Sequence, residues 1–290
     1  MRLAILVPDP DYREPWQWAY NVEADSLRKH GVIVHAVPWT DPDDLSEYDL
    51  ILPLVAWGYH DDYGPWLRLL NRFDAERLPV VNPPSLLWWN SDKTYLTHLA
   101  AKGVPTVATI DVEKLDADNL TAAAERFRTS ELVVKPPISA SAAGTHRLRT
   151  GDAIPAAALG RRMMIQPFVS TIATEGEYAV MLFDGVYSHT VVKRPKAGDF
   201  RVQEHLGGVT LPAQPPPGAT ELARQALAAA PAPATYARVD IVRDDAGVLR
   251  IMELELIEPA LFLEHAPDGG AAFSQAVLSA ARTATGESPK

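Results

Sequence analysis

The strongest chemical signal in this chain of 290 residues is a set of charged side chains in two neighbouring strand-like segments. Arg238-Val239-Asp240 lies in the first segment and Glu253-Leu254-Glu255 in the second, with a turn predicted at 244–247 between them. Because side chains alternate across a strand, Arg238 and Asp240 share one face, as do Glu253 and Glu255. If the two faces coincide, three carboxylates and one guanidinium converge.

Crowded carboxylates repel one another and therefore need cations. Oxygen ligands without His or Cys suit Mg²⁺, which commonly recruits substrate phosphates to complete its octahedron. We therefore predict Asp240, Glu253 and Glu255 as magnesium ligands. The alternative is a solvent-exposed polar sheet face, but the strand continues with apolar residues, and acidic pairs are poor strand formers.

A second signal is a lysine delivered by a strand and followed by small residues. Lys135 ends the run Val133-Val134-Lys135, and Ser139, Ser141 and Gly144 follow in a loop. Small side chains let backbone amides approach phosphate oxygens, while the lysine supplies a positive charge. The sequence has neither a Walker loop nor a dinucleotide-binding glycine fingerprint. An ordinary surface loop is the alternative.

Two weaker signals lie on either side of that loop. A helix predicted from about Ser91 to Gly103 carries Lys93 in its first turn, where a cation opposes the helix dipole and needs a partner. A phosphate and Asp92 are the two candidate partners. Farther along, an apolar strand ends in Gln166-Pro167-Phe168-Val169, which could offer backbone groups to an adenine edge or simply be sheet core.

The elements before residue 90 must position these groups from the N-terminal side. Apolar runs predict strands at 3–7, 32–37, 49–55 and 79–82, and helical patterns lie between them. Alternation of strand and helix is typical of a small doubly wound α/β domain. The aromatic side chains in its loops are candidate walls of the substrate side of a cleft, with surface packing as the alternative: Trp16, Trp57, Tyr59, His60 and Tyr63.

The remaining elements combine helices with antiparallel strands. We predict a helix at 119–128, a hairpin at 178–192 with an Asp184-Gly185 turn, and a Pro-rich link at 212–217. An Ala-rich helix ending at Ala230 and a terminal helix at 270–283 follow. The predicted domains are residues 1–90, 91–165 and 166–290.

Taken in order, these motifs resemble the ATP-grasp superfamily over residues 90–265. The resemblance implies an α/β ATP-grasp fold that follows the N-terminal domain. It also implies that the protein uses ATP together with two Mg²⁺ ions. It implies phosphate contacts from Lys93 and Lys135 and a further nucleotide contact from Lys193, with the loop carrying Ser139, Ser141 and Gly144 closing over the phosphates. Gln166, Phe168 and Val169 would hold adenine, and Glu177 the ribose. Arg238 matches the arginine that stabilises the tetrahedral oxyanion in D-alanine–D-alanine-ligase-like members.

One departure from the family concerns the substrate. These ligases usually follow the third metal ligand with a Ser-Pro-Gly-type loop, whereas Glu255 is followed by Leu256-Ile257-Glu258-Pro259. A carboxylate there suggests recognition of a substrate ammonium or polar N–H group, with a structural salt bridge as the alternative. Arg201 is a second candidate substrate contact.

A closer resemblance is to the cyclo-ligases that close O-ureido-D-serine to D-cycloserine. The shared segments are 8–12, 57–60, 89–93, 189–196 and 255–262. This implies an intramolecular ring closure on a small amino-acid-like substrate. A ligase joining two amino-acid-like substrates and a non-catalytic ATP-binding protein of the same fold are the alternatives.

Composition sets the outer limits. The chain is 47% hydrophobic with a formal net charge of −10, which argues against nucleic-acid and anionic-membrane partners. Absence of cysteine excludes disulfides and thiolate chemistry. No apolar run approaches the roughly 20 residues of a membrane span, so we expect a cytoplasmic protein. The sequence leaves homo-oligomerisation open.

Overall fold

The computed structural model describes residues 1–42 and 44–286. Its N-terminal part contains a three-stranded parallel sheet with the strand order β2-β1-β3. Leu3, Ile5 and Leu52 of this sheet are fully buried, as expected for parallel strands covered on both faces. The elements are β1 (Arg2–Val7), α1 (Gln17–Arg28), β2 (Ile33–Pro38), β3 (Leu50–Leu52) and α2 (Tyr63–Ala75). The doubly wound α/β prediction for this segment is confirmed.

The predicted fourth strand at 79–82 is wrong. Only one parallel bridge forms, between Ile51 and Val80, supported by hydrogen bonds from Ile51 N to Pro79 O (2.7 Å) and from Val81 N to Ile51 O (3.0 Å). Proline has no backbone N–H to extend the ladder, and two more prolines follow at 83 and 84.

The helix predicted from Ser91 begins later than predicted, and another short helix precedes it, with a turn between the two helices. These are α3 (Pro84–Asn90) and α4 (Tyr95–Ala101). Proline at the start of α3 is a good N-terminal signal, because its fixed φ suits the first helical position. In the intervening turn the Asp92 carboxylate accepts hydrogen bonds from Thr94 N (2.9 Å) and from Arg162 (2.7 Å). Lys93 therefore lies in a turn before α4 and not in a helix.

The middle of the chain forms a four-stranded antiparallel sheet with the order β4-β7-β5-β6, backed by one helix. Its elements are β4 (Ile110–Val112), α5 (Ala117–Phe127), β5 (Glu131–Lys135), β6 (His146–Arg149) and β7 (Met163–Pro167). The predicted helix at 119–128 is confirmed as α5, which a capping box at Asp116 and Asn119 begins. The predicted domain boundary at 165/166 falls inside β7, and the division into three domains stays a prediction.

The C-terminal part is a five-stranded antiparallel sheet with the order β10-β9-β8-β11-β12. Its strands are β8 (Glu177–Phe183), β9 (Val186–Arg194), β10 (Val209–Ala213), β11 (Tyr236–Arg243) and β12 (Leu249–Glu255). Helices α6 (Ala219–Ala229) and α7 (Ala271–Ala284) complete the fold. Both predicted hairpins and both predicted helices are confirmed. The Pro-rich link begins later than predicted, because Pro212 lies in β10, an edge strand where a missing N–H is tolerated.

Candidate active site

The charged residues of β11 and β12 meet as the sequence predicted. In the antiparallel register Arg238 pairs with Glu255, and Asp240 pairs with Glu253, so the four side chains share one sheet face. We call these four residues the charged hairpin. Arg238 and Asp240 are almost completely buried, at 8% and 2% exposure, so these charges depend on partners within the protein.

Each carboxylate of the charged hairpin lies against a cation. Arg238 Nε is 3.0 Å from Asp240 Oδ1, and Lys193 Nζ is 2.7 Å from Asp240 Oδ2. Glu255 accepts from Arg238, and Glu253 accepts from Lys93. Although burial raises the pKa of the Asp240 carboxyl, Arg238 and Lys193 outweigh it and lower this pKa to about 2. Asp240 is therefore an anion, as a metal ligand must be.

The three lysines predicted to contact the nucleotide differ in their present partners. Lys93 is paired with Glu253, and Lys193 is paired with Asp240 and with Glu177, whose Oε1 lies 2.5 Å from Nζ. Burial alone would lower the pKa of Lys193, but these two carboxylates raise it. Lys135 is only 8% exposed and has no carboxylate within 4 Å among the described residues, and burial lowers its pKa. Of the three lysines, Lys135 is thus the one whose ammonium group is available to pair with a ligand.

The small-residue loop after β5 lies beside these lysines. Pro137 O accepts from Lys93 N (2.8 Å), and Ser139 Oγ donates to Pro136 O (3.1 Å). A Cβ at Gly144 would lie 2.9 Å from Pro136 Cγ, and its φ is +67°. Glycine is therefore required there for close packing of the loop, and Gly144 does not line the cavity described next.

One cavity of about 940 Å³ unites the other predicted site residues. It opens between the three sheets, and every predicted site residue except Gly144 contributes to its wall. These are Lys93, Lys135, Ser139, Ser141, Gln166, Phe168, Val169, Glu177, Lys193, Arg201, Arg238, Asp240, Glu253, Glu255 and Glu258.

The segment predicted to hold adenine lies at one end of the cavity. The Gln166 side chain, 2% exposed, donates from Nε2 to Thr109 Oγ1 (2.9 Å). The Phe168 ring lies edge-on to Phe200, with centroids 5.9 Å apart, and the Arg147 guanidinium lies 3.6 Å from its centroid. Val169 is buried. These contacts give this part of the cavity wall a largely aromatic and apolar surface.

The substrate side is formed by the loop after β3 and the chain after β12. We call Trp57, Tyr59, His60 and Glu258 the substrate-side wall; all four line the cavity. Two of the predicted aromatic walls are wrong, because Trp16 packs edge-on to Tyr20 in the N-terminal core and Tyr63 begins α2, away from the cavity.

Glu258 is the least satisfied carboxylate of the site. It has no hydrogen bond and no ion pair within 4 Å in the parts of the chain that the structure covers. Burial, with Glu255 nearby, raises its pKa to about 8. The predicted alternative of a structural salt bridge is therefore not observed. Arg201, by contrast, is held by Asp199, with 2.8 Å between Nη2 and Oδ2.

Several wall residues were missed by the sequence analysis. Met252 lines the cavity beside Glu253, although strict alternation would turn it to the opposite face. A register shift between Asp240 and Ile241 leaves Met252 without a partner, which is the geometry of a β-bulge. No sequence signal marked this bulge. Phe200, also missed, could have been noticed as the aromatic residue next to Arg201.

The donor set fits magnesium in chemistry, although its present arrangement is that of ion pairs. Among residues 1–42 and 44–286, no group of three or more His, Cys, Asp and Glu side chains is gathered as a metal site. Asp240, Glu253 and Glu255 nevertheless supply oxygen donors only, on two adjacent strands and in one cavity. Oxygen donors of this kind suit Mg²⁺.

None of the helices in the described ranges has both the length and the apolar composition that a membrane span requires.

Comparisons with known proteins point to one family. Residues 6–82 match the family model "D-cycloserine synthetase DcsG, N-terminal domain". The cycloserine biosynthesis protein DcsG of Streptomyces lavendulae is 30% identical, in an alignment covering 87% of this chain and 90% of that protein. The crystal structure of D-cycloserine synthetase DcsG superposes with a TM-score of 0.83 at 27% identity, covering 98% and 100% of the two chains.

More distant structures show the fold alone. The D-alanine–D-alanine ligase of Bacillus anthracis, complexed with ATP, has a TM-score of 0.69 at 17% identity and covers 99% of this chain and 100% of its own. The predicted fold class, an α/β ATP-grasp fold with an N-terminal α/β domain, is confirmed. So is the prediction of an ATP-grasp ligase, which removes the non-catalytic alternative.

Proposed function

The chain belongs to the family of the cycloserine biosynthesis protein DcsG, and we propose that it is an ATP- and magnesium-dependent cyclo-ligase that converts O-ureido-D-serine to D-cycloserine. The observation that carries the proposal is the single cavity lined by lysines, carboxylates and Arg238 together with Glu258, a carboxylate that has no ion-pair partner within 4 Å among the described residues. That arrangement suits ATP beside a small substrate with an ammonium group.

ATP would lie along the charged end of the cavity. Lys93, Lys135 and Lys193 would contact the phosphates, and the loop carrying Ser139, Ser141 and Gly144 would cover them. Gln166, Phe168 and Val169 would hold the adenine, and Glu177 the ribose. Support comes from Lys135, whose buried charge has no carboxylate within 4 Å among the described residues.

Asp240, Glu253 and Glu255 would hold two Mg²⁺ ions, which would neutralise charge on the β- and γ-phosphates. For this Asp240 and Glu253 must leave their lysine partners. Lys93 and Lys193 can turn from Glu253 and Asp240 to phosphate oxygens, so each lysine exchanges one anion for another. The ion pairs of the charged hairpin would thus keep the site neutral until ATP arrives.

The proposed reaction has two bond-forming steps. A carboxylate oxygen of the substrate attacks the γ-phosphorus and ADP departs, which gives an acyl phosphate. The nitrogen bonded to the side-chain oxygen then attacks the acyl carbon, and phosphate leaves as the ring closes. The carbamoyl group is released by one water molecule as carbamic acid, which decomposes to carbon dioxide and ammonia. Because the nucleophile is intramolecular, the protein has only to fold the substrate onto itself.

Arg238 is proposed to stabilise the oxyanion formed when the nitrogen attacks. Its guanidinium is fixed by Asp240 and Glu255 and donates from Nη1 to Ala260 O (3.3 Å). A donor fixed in advance loses little energy to reorganisation during the reaction. Glu258 would bind the substrate ammonium, and Arg201 is proposed as the second substrate contact.

The test is ADP release with Mg-ATP across a panel that begins with O-ureido-D-serine and continues with single amino acids and amino-acid pairs. ADP release with O-ureido-D-serine alone, together with D-cycloserine, is the expected result. Release only when two substrates are present would replace ring closure with intermolecular ligation.

A further inference from the structure

A second polar group of the substrate-side wall has no partner in the protein. His60 lines the cavity with a side chain only 9% exposed, and its Nδ1 is buried without a hydrogen-bond partner among the described residues. Buried polar atoms are nearly always paired, so an unpaired one in a ligand cavity indicates a bond that the ligand completes. The proposed reaction assigns no role to this nitrogen.

The position of the His60 ring is fixed by its neighbours. Tyr59 packs edge-on against it, with centroids 5.9 Å apart and planes at 86°. Tyr59 is itself held against the fully buried Trp66, 5.1 Å away between centroids. A ring held on this side by packed aromatic neighbours presents its nitrogen in a set direction.

Burial keeps His60 neutral. Burial lowers the pKa of its imidazole, and the opposing effect of Asp61 is weaker. We assign the proton to Nε2 because the Asp61 carboxylate lies 3.6 Å from that nitrogen. Nδ1 is then a lone-pair acceptor, and the N–H or O–H group of a ligand would satisfy it.

The surroundings of His60 and Glu258 suit different groups. Two anions, Asp61 and Glu14, and two cations, Lys93 and Arg13, act on His60, so the field there favours neither sign. Among the charges that act on Glu258, the Glu255 carboxylate has the largest effect and Glu253 adds to it, while Lys93 and Arg238 oppose them. Glu258 is itself a carboxylate without an ion-pair partner within 4 Å among the described residues, and such a group favours a cation. A substrate with one ammonium and one neutral N–H donor would therefore place the ammonium at Glu258 and the neutral donor at His60.

We propose that His60 is a specificity-determining residue whose Nδ1 accepts a hydrogen bond from the terminal amino group of the substrate's carbamoyl unit. The assignment rests on the proposed function, because it takes O-ureido-D-serine as the substrate. The consequence is discrimination between substrates. A compound without that N–H would leave Nδ1 unpaired in the complex, and a pocket built around a hydrogen bond rejects such an analogue strongly.

The test pairs a variant with a substrate analogue. O-acetamido-D-serine carries a methyl group in place of the terminal amino group and has nearly the same shape. Dissociation constants of both compounds would be measured by calorimetry with Mg²⁺ and a non-hydrolysable ATP analogue. We expect the wild-type enzyme to bind the ureido compound roughly tenfold to a hundredfold more tightly, and His60→Phe to reduce this preference to about threefold or less.

Two further variants separate recognition from folding. His60→Asn keeps an acceptor oxygen and should retain part of the preference, which also covers the case in which His60→Phe does not fold. His35 lies in β2, outside the cavity, and is hydrogen-bonded to Tyr48. His35→Phe should therefore leave the preference for the ureido compound unchanged.

The outcomes distinguish this assignment from the proposed function. Equal binding of the two compounds by the wild-type enzyme, or full preference in His60→Phe, overturns the role of His60 even if O-ureido-D-serine supports ADP release. If the wild-type enzyme neither binds O-ureido-D-serine nor releases ADP with it, the proposed function fails and this assignment fails with it.

Discussion

The charged hairpin and the substrate-side wall differ in whether their buried polar groups have partners within the protein. In the charged hairpin every carboxylate has a cation beside it: Asp240 has Arg238 and Lys193, Glu253 has Lys93, and Glu255 has Arg238. In the substrate-side wall, Glu258 and the Nδ1 of His60 have no hydrogen-bond partner among the residues that the structure describes.

This difference indicates two ways of preparing a site for its ligand. The charged hairpin is electrically satisfied in advance, so its ligands must enter by exchanging partners. The substrate-side wall carries unsatisfied groups, and the ligand supplies what they lack. Removing one partner from the first arrangement should destabilise the fold, because it leaves a buried charge uncompensated, whereas the unpaired groups of the second should reduce stability until a ligand binds. The predictions below test this contrast, from the largest expected effect to the smallest.

Asp240→Ala should cause the largest change. It leaves Arg238 and Lys193 as buried cations with one carboxylate fewer between them, and removing one partner of a buried ion pair costs about 3–5 kcal/mol. We expect the free energy of unfolding, measured by urea denaturation, to fall by that amount. A loss below about 1 kcal/mol would contradict the view that Asp240 compensates these buried charges.

Glu175→Ala is the matched control for this effect. Glu175 pairs with Arg243 at 3.1 Å, but the two side chains are 26% and 32% exposed. A partly solvated pair of this kind contributes about 1 kcal/mol or less. A loss as large as that of Asp240→Ala would mean that burial does not distinguish the charged hairpin.

Arg238→Lys should separate catalysis from nucleotide binding. Lysine keeps the positive charge between Asp240 and Glu255 but cannot reproduce the fork of the guanidinium. We expect kcat for ADP release to fall about a hundredfold, within the range seen when one oxyanion donor is removed, with unchanged affinity for ATP by calorimetry. Turnover near the wild-type rate would remove Arg238 from the reaction.

The charged hairpin was predictable because its information is local. Alternation and one turn place Arg238, Asp240, Glu253 and Glu255 on one face, and the antiparallel register supplies the rest. The parallel N-terminal sheet was equally readable from its apolar runs. The magnesium and nucleotide roles of these residues stay predictions.

The remaining features depend on contacts that a linear pattern does not contain. Lys93 meets Glu253 across 160 positions of the chain, so its partner was not among the two weighed from the sequence. The bulge at Met252 depends on the partner strand. The segment 79–82 forms a single bridge instead of the predicted strand, and this too depends on its neighbour. The loss of Trp16 and Tyr63 from the predicted wall follows from how the N-terminal core packs.

Glu258→Gln tests the substrate-side wall directly. A bound ammonium would lower the pKa of Glu258 and hold it as a carboxylate, whereas the amide keeps the shape and a carbonyl oxygen but cannot ionise, so the variant would lose a charge-assisted hydrogen bond. We expect KM for O-ureido-D-serine to rise about tenfold, in line with 1.4 kcal/mol, while KM for ATP stays unchanged. An unaltered KM for the substrate would place the ammonium elsewhere.

The same variant should change the pH dependence of stability by a smaller amount. Burial beside Glu255 raises the pKa of Glu258 to about 8 in the folded protein, from an ordinary value of 4.5. Between these two values the folded protein holds a proton that the unfolded chain has lost, so stability falls as pH rises across this window. Glutamine does not titrate, and Glu258→Gln should therefore gain stability relative to the wild type from pH 5 to pH 8. Because the carboxyl faces a cavity open to water, we expect a gain of about 1 kcal/mol by urea denaturation. A difference that stays constant with pH would show that Glu258 is already charged and solvated, and the contrast between the charged hairpin and the substrate-side wall would then be lost.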